Sequence, residues 1–142
     1  MKNLIISFLF LLLFSSCSQH SKNNSWDSQD YSNAVKSDNG YTSIEFEETE
    51  FDFGSYSIQE ERAHIFVFTN KGNAPLVIQK VETTCSCIHI DYPKLPVEPK
   101  QRGEIKILYR ALQKRGHFHR NVYVFSNGSD QPVTLKISGY QY

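Results

Sequence analysis

Neither sign of charge is in excess in this chain: fifteen Lys and Arg balance fifteen Asp and Glu over 142 residues. Nucleic-acid binding draws on a basic surplus to neutralise phosphates, so no nucleic-acid partner is expected. Helical periodicity is missing too, because no segment repeats apolar residues at the spacing of a helix face. Cysteine occurs three times, without the paired Cys-x-x-Cys units of a zinc ribbon. There is no Ser-His-Asp order, no carboxylate pair on a shared element and no phosphate-cradling glycine loop, and an enzyme is not expected. Long apolar runs are limited to one, at the N-terminus.

That run, Leu4 to Phe14, is apolar apart from Ser7, follows the positive Lys2 and ends in Ser15 and Ser16. It is too short to span a bilayer as a helix and has the layout of a secretory signal peptide, assigned to residues 1–16. The segment Phe14-Ser15-Ser16-Cys17 resembles the lipobox of bacterial lipoproteins, with Phe14 in place of the usual leucine. The resemblance implies that Cys17 is acylated and becomes the new N-terminus. One acyl chain anchors only marginally, and the diacylglyceryl plus amide-linked pattern of that family supplies the further chains that stable attachment needs. The expected location is the cell envelope, with a lipid anchor most simply placed in the outer membrane and facing the periplasm. Ser18 to Asn24 lacks the acidic cluster that resembles a surface-export signal in some lipoproteins.

Residues 17–40 read as the lipidated end and a flexible tether, because Ser18 to Gly40 is rich in Ser, Asn, Asp and Gln. About 23 residues of this kind span roughly 25 to 30 Å on average. Residues 41–142 read as one domain. Short alternating segments follow one another there: Ile44 with Phe46, Phe51 with Phe53, then Arg62 to Thr69, Leu76 to Glu82, Gly103 to Arg110, and the pairings of Phe118, Val122 and Val124 and of Val133, Leu135 and Ile137. Arg62 to Thr69 is apolar on both parities, which predicts a central strand covered on both faces. Val81 falls out of phase with Leu76 and Ile78, which predicts a bulge or bend ahead of the cysteines. Pro93, Pro96 and Pro99 exclude a helix or a central strand between Asp91 and Gln101. About seven such strands with turn residues between them predict an all-β, immunoglobulin-like sandwich of two antiparallel sheets. Phe66, Phe68, Ile107, Val122 and Leu135 are its expected core.

The charge is balanced overall but segregated along the chain. Lys22 to Glu61 holds two basic and ten acidic residues, and Arg62 onward holds twelve basic and five acidic. If early strands meet late ones, the halves neutralise each other inside the fold; otherwise they make a dipolar docking surface. Glu45, Glu47, Glu48 and Glu50 are expected to form a solvated edge that discourages strand pairing.

Several motifs then agree with a known family. Phe51-Asp-Phe-Gly54, Phe66-Val-Phe-Thr-Asn70-Lys-Gly72, Pro75-Leu-Val-Ile78, Cys85-Ser86-Cys87 and the closing Gly116-x-Phe118 to Ser126-Asn127 resemble the bacterial domain-of-unknown-function family 1573 in order and spacing. The resemblance covers Glu45 to Tyr140. It implies an immunoglobulin-like sandwich, often on a secreted or lipid-anchored chain, with no assigned activity. That family typically reads Cys-Gly-Cys-Thr where this chain has Cys85-Ser86-Cys87-Ile88.

The stretch Val81 to Ile90 concentrates the chemistry. With Cys17 acylated, Cys85 and Cys87 are the one pair left in a compartment where disulfides persist. In an extended strand Cys85, Cys87 and His89 would share a face, with the two Cα atoms about 6.5 to 7 Å apart, at the limit for a bridge. Three roles stay open. The pair closes a small disulfide or sits reduced in the core; it binds Cu(I) or Zn(II) together with His89, with His117 and His119 as further candidate ligands; or it carries thiol–disulfide exchange. The leading expectation is a non-catalytic binding or structural module with a protein partner in the envelope and no resident cofactor, and a copper- or zinc-binding or thiol-redox module is the alternative.

Overall fold

A computed structural model describes residues 40–111 and 114–142. The segment expected to be a signal peptide, Cys17 and all but Gly40 of the expected tether lie outside the described residues. Eight strands follow in chain order: β1 (Ile44–Phe46), β2 (Glu50–Tyr56), β3 (Arg62–Asn70), β4 (Ile78–Thr83), β5 (Ile88–Asp91), β6 (Arg102–Tyr109), β7 (Gly116–Ser126) and β8 (Ser129–Gln141). They form two four-stranded sheets, ordered β1-β3-β6-β5 and β2-β8-β7-β4. The all-β sandwich expected from the alternating segments is present. The strand beyond the seven anticipated is β5, four residues long and directly after the cysteines, where the sequence draws attention to chemistry and away from pattern.

The second sheet is not purely antiparallel. β2 runs parallel to β8, Glu50 opposite Lys136 and Asp52 opposite Ser138, with an irregularity between Asp52 and Ser55. An alternating strand reads the same in either direction, so the sequence carries no mark of this. The bulge foreseen from Val81 is found where the β4–β7 register shifts between Ile78 and Lys80.

The core lies between the sheets and follows the alternation. Phe66 and Phe68 of β3, Ile105 and Ile107 of β6, Val122 of β7 and Leu135 of β8 are completely buried. Tyr109 and Phe118 stack across the interior with centroids 4.4 Å apart, one ring from each sheet. β3 corrects one expectation. It is an inner strand of its sheet, but its outer face is open and Ile65 is 43% exposed. Apolar residues on both parities arise here because His64 follows the inward parity of Phe66 and Phe68 and stacks on Phe51, centroids 3.6 Å apart, while Ile65 and Val67 take the outer face.

One end of the sandwich is held by buried asparagine. Asn70 is fully buried, and its side chain donates to Ala74 O (2.8 Å) and Val97 O (3.0 Å) and accepts from Gly72 N (2.9 Å). Asn127 does the same nearby, accepting from Val77 N and donating to Pro75 O. These amides satisfy loop groups that have no ladder to join. Gly72 passes so close to the start of β1 that a β-carbon would sit 2.7 Å from Thr42 Cα. At the other end Tyr56 is buried, and its hydroxyl accepts from Gln141 Nε2 at 3.0 Å. Burial raises its pKa above the ordinary tyrosine value, with the Gln141 hydrogen bond working against that rise.

The segregated charges meet within the fold. Glu45 pairs with Lys71, Glu47 with Arg102, Glu50 with Lys136 and Glu61 with Arg110, and Glu48 contacts His64. Exposed pairs of this kind contribute only about 0 to 1 kcal/mol each. They do decide between the two readings of the charge pattern, because the acidic early strands lie beside the basic late ones.

Candidate functional site

β4 ends at Thr83 in one sheet and β5 begins at Ile88 in the other. Residues 84–87 therefore carry the chain across the sandwich, and so short a passage needs a tight turn. Ile88 N donates to Cys85 O at 3.2 Å, closing a four-residue turn. Thr83 Oγ1 accepts from Cys85 N at 3.3 Å and donates to Asn121 O at 3.0 Å, which ties the start of the turn to β7. Arg110 N donates to Cys87 O at 2.9 Å and ties down its end.

This turn draws the Cα atoms of Cys85 and Cys87 to 5.1 Å, and the two sulfurs are joined in a disulfide. Cys87 is 3% exposed and belongs to the core, while Cys85 is half-buried against it. Lys100 is the one non-glycine among the described residues with positive φ. Ser86 therefore needs no left-handed backbone, and serine is accommodated at the position where the family resemblance leads to glycine.

The extended row of Cys85, Cys87 and His89 does not form, because the turn breaks the alternation. His89 sits opposite Leu108 on β5 and is exposed on the outer face of the first sheet. His117 and His119 are exposed on the outer face of the second sheet, on β7. The candidate ligands are thus spread over both outer faces and the core. Among the described residues no group of three or more His, Cys, Asp or Glu is placed to hold a metal ion.

What gathers instead is a set of open clefts on the outer face of the β2-β8-β7-β4 sheet, all sharing His119. One of about 430 Å³ is lined by Thr84, Cys85, His119, Arg120, Asn121 and Tyr123. A second of about 420 Å³ continues over Glu50, Asp52, Lys136 and Ser138. A third of about 170 Å³ reaches His117 and Tyr140, whose rings lie 4.9 Å apart. The pairing explains the layout: Asp52, Ser138 and His119 lie abreast on three neighbouring strands, as do Glu50, Lys136 and Asn121. The small Ser138 leaves a dip between its larger neighbours.

Arg120 is the residue that sequence reasoning passed over. It has the inward parity of Phe118 and Val122, which are buried, yet it is half-exposed. The last residue of β4, Thr83, pairs with Val122, so among the described residues β7 has no ladder partner on its β4 side from Arg120 back, and Thr84 and Cys85 line a cleft with Arg120 there. The guanidinium donates to His119 O at 2.8 Å. A cation at a core-parity position inside an alternating strand was the available signal.

The model of the family described as "Protein of unknown function (DUF1573)" matches residues 44–141. The chain belongs to the DUF1573 family. No curated protein matches it. The DUF1573 domain is similar in fold to a protein of unknown function from Porphyromonas gingivalis W83, at 14% identity and a TM-score of 0.61, over 70% of this chain and 47% of that one. The chain thus spans about half the length of that relative. It is also similar to the ASH/PapD-like domain 7 of human CEP192, at 12% identity and a TM-score of 0.58, over 72% of this chain and 87% of that one. Vibrio cholerae VesB protease contains a similar region, at 13% identity and a TM-score of 0.53, over 79% of this chain and 34% of that one. At these identities the DUF1573 domain shares an immunoglobulin-like, PapD-like fold with them and nothing further.

Proposed function

We propose that this protein is a lipid-anchored envelope protein, held by an acylated Cys17 to the periplasmic face of the outer membrane. Its DUF1573 domain serves as a non-catalytic binding or structural module for another envelope protein. The observation that carries the binding role is the run of connected open clefts on the outer face of the β2-β8-β7-β4 sheet, lined by His119, Asn121, Tyr123 and Tyr140. Open clefts that cross several strands suit recognition of a macromolecular surface better than enclosure of a small substrate. Aromatic and mixed polar side chains there are of the types that carry interface energy. The anchor rests on the signal-like run and the lipobox resemblance, and it leaves the sandwich free to meet partners at the membrane surface.

A photo-crosslinking residue placed at Tyr123 in living cells, and another at Lys106 on the opposite sheet, test the reading. Crosslinks to one discrete partner from position 123 and not from 106 are expected. Crosslinks of equal yield from both positions, or none from 123, would remove the assigned face.

A further inference from the structure

The disulfide itself offers something that the binding role does not use. Its two sulfurs are unequal: Cys85 lines an open cleft, and Cys87 is 3% exposed within the core. We propose that Cys85–Cys87 is a thiol–disulfide exchange site whose substrate class is a protein dithiol, with Cys85 as the sulfur that meets the partner and Cys87 as the buried leaving and resolving sulfur. This goes beyond the binding module and does not rest on it.

The geometry supplies the parts that exchange needs. Attack on a disulfide requires an approach to one sulfur from outside, and the cleft of about 430 Å³ gives that approach at Cys85 alone. Cys87 N already donates to Cys85 Sγ at 3.3 Å, so a donor faces the sulfur that carries negative charge when the mixed disulfide is resolved and Cys85 is released. Arg120 lines the same cleft and adds a fixed cation. The turn is held by bonds that do not involve the S–S link: Thr83 to Asn121, Cys87 O to Arg110 N and Ile88 N to Cys85 O. Opening the disulfide therefore leaves the two sulfurs close enough to reform it.

The chemistry balances. A partner thiolate, its proton lost to solvent, attacks Cys85 Sγ; the S–S bond breaks, and Cys87 sulfur leaves with the electron pair and takes a proton from water. The partner's second thiolate then attacks its own sulfur in the mixed disulfide and releases Cys85 as thiolate beside the Cys87 N–H. The partner dithiol is oxidised by two electrons and the Cys85–Cys87 pair is reduced by two. The reverse sequence reduces a partner disulfide.

The full-length protein tests this with glutathione and dithiothreitol as probes. Native oxidised protein in dithiothreitol is expected to yield two alkylatable thiols at positions 85 and 87 while keeping its near-ultraviolet circular dichroism. Cys87→Ser is expected to form a mixed disulfide with glutathione disulfide about tenfold or more faster than Cys85→Ser, because only Cys85 is accessible. If either variant fails to fold, the wild-type disulfide can be mixed with glutathione, quenched early and mapped. An adduct on Cys85 supports the assignment, and an adduct on Cys87 overturns it. A disulfide that opens only under denaturing conditions, or equal rates at the two cysteines, would leave the link purely structural.

Discussion

Cys85 and Asn121 are joined through one hydroxyl. Thr83 Oγ1 accepts from the Cys85 amide and donates to the Asn121 carbonyl, so the sheet-crossing turn is fixed to β7 independently of its disulfide. Thr83→Val keeps the shape of the side chain and removes both bonds. It should lower stability by about 1 to 2 kcal/mol and raise the rate at which the Cys85–Cys87 link is reduced. Urea melts and timed alkylation would check both effects, and an unchanged reduction rate would show that the hydroxyl does not hold the turn.

Replacing both Cys85 and Cys87 by serine should cost only about 1 to 2 kcal/mol through chain entropy, because the closed loop is very short. Serine at the buried position 87 adds a polar group to the core and places the total at the upper end. Differential scanning calorimetry of the double variant gives the number, and loss of all folded structure would contradict it.

Phe68 is fully buried, packs 5.4 Å from Phe46 and covers Gly103 so closely that a β-carbon there would overlap its ring. Phe68→Ala should destabilise the domain by about 3 to 5 kcal/mol. Ile65→Ala, one strand position from Phe66 but on the open face, should stay within about 1 kcal/mol. Similar melting temperatures for the two variants would invert the assigned phase of β3.

Asn70→Ala strips Ala74 O, Val97 O and Gly72 N of a buried partner at one stroke. The expected loss is about 1 to 3 kcal/mol for the orphaned groups, against about 0.5 kcal/mol or less for the exposed Asn121→Ala. Chemical denaturation of both variants compares them directly.

Tyr56 sets an alkaline limit. Burial raises its pKa in the folded state above the usual tyrosine value, so the unfolded chain loses this proton first as pH rises. Its contribution is fully present below about pH 10 and is lost as pH climbs through the raised folded value. Tyr56→Phe removes this titration and should flatten the fall in melting temperature above pH 10. It also leaves Gln141 Nε2 without its acceptor, so the variant starts lower at neutral pH. An identical alkaline slope in both proteins would exclude Tyr56 as the cause.

Alternation carried most of the fold, because one buried face imposes a period of two wherever a strand meets the core: Ile105, Ile107 and Tyr109 face inward as their spacing demands. What escaped was whatever alternation does not encode. Strand direction is one such property, and β2 lies parallel to β8 without a trace in its residues. Turns that replace a ladder with a few specific hydrogen bonds are another. The Cys85 turn depends on Thr83 Oγ1 and on Arg110 N, partners far apart in sequence, and no local rule names them. Asn70 was visible as part of a turn segment, but its burial was not, since its inward parity beside Phe68 looked like the start of a loop. The charge segregation was legible, and its resolution needed the pairing of Glu50 with Lys136.

That last pair spans 86 positions, and it sets a schedule. β2 is made early, yet among the described residues its only ladder partner is β8, the last of the eight strands. Until residues near 136 exist and have left whatever confines them, Phe51 and Phe53 have no sheet to complete and the acidic edge has no cations beside it. Folding of this kind waits for long-range pairing and is slow compared with helix formation. The acidic edge strand of the second sheet is therefore set in place only once the last described strand of the chain has been made.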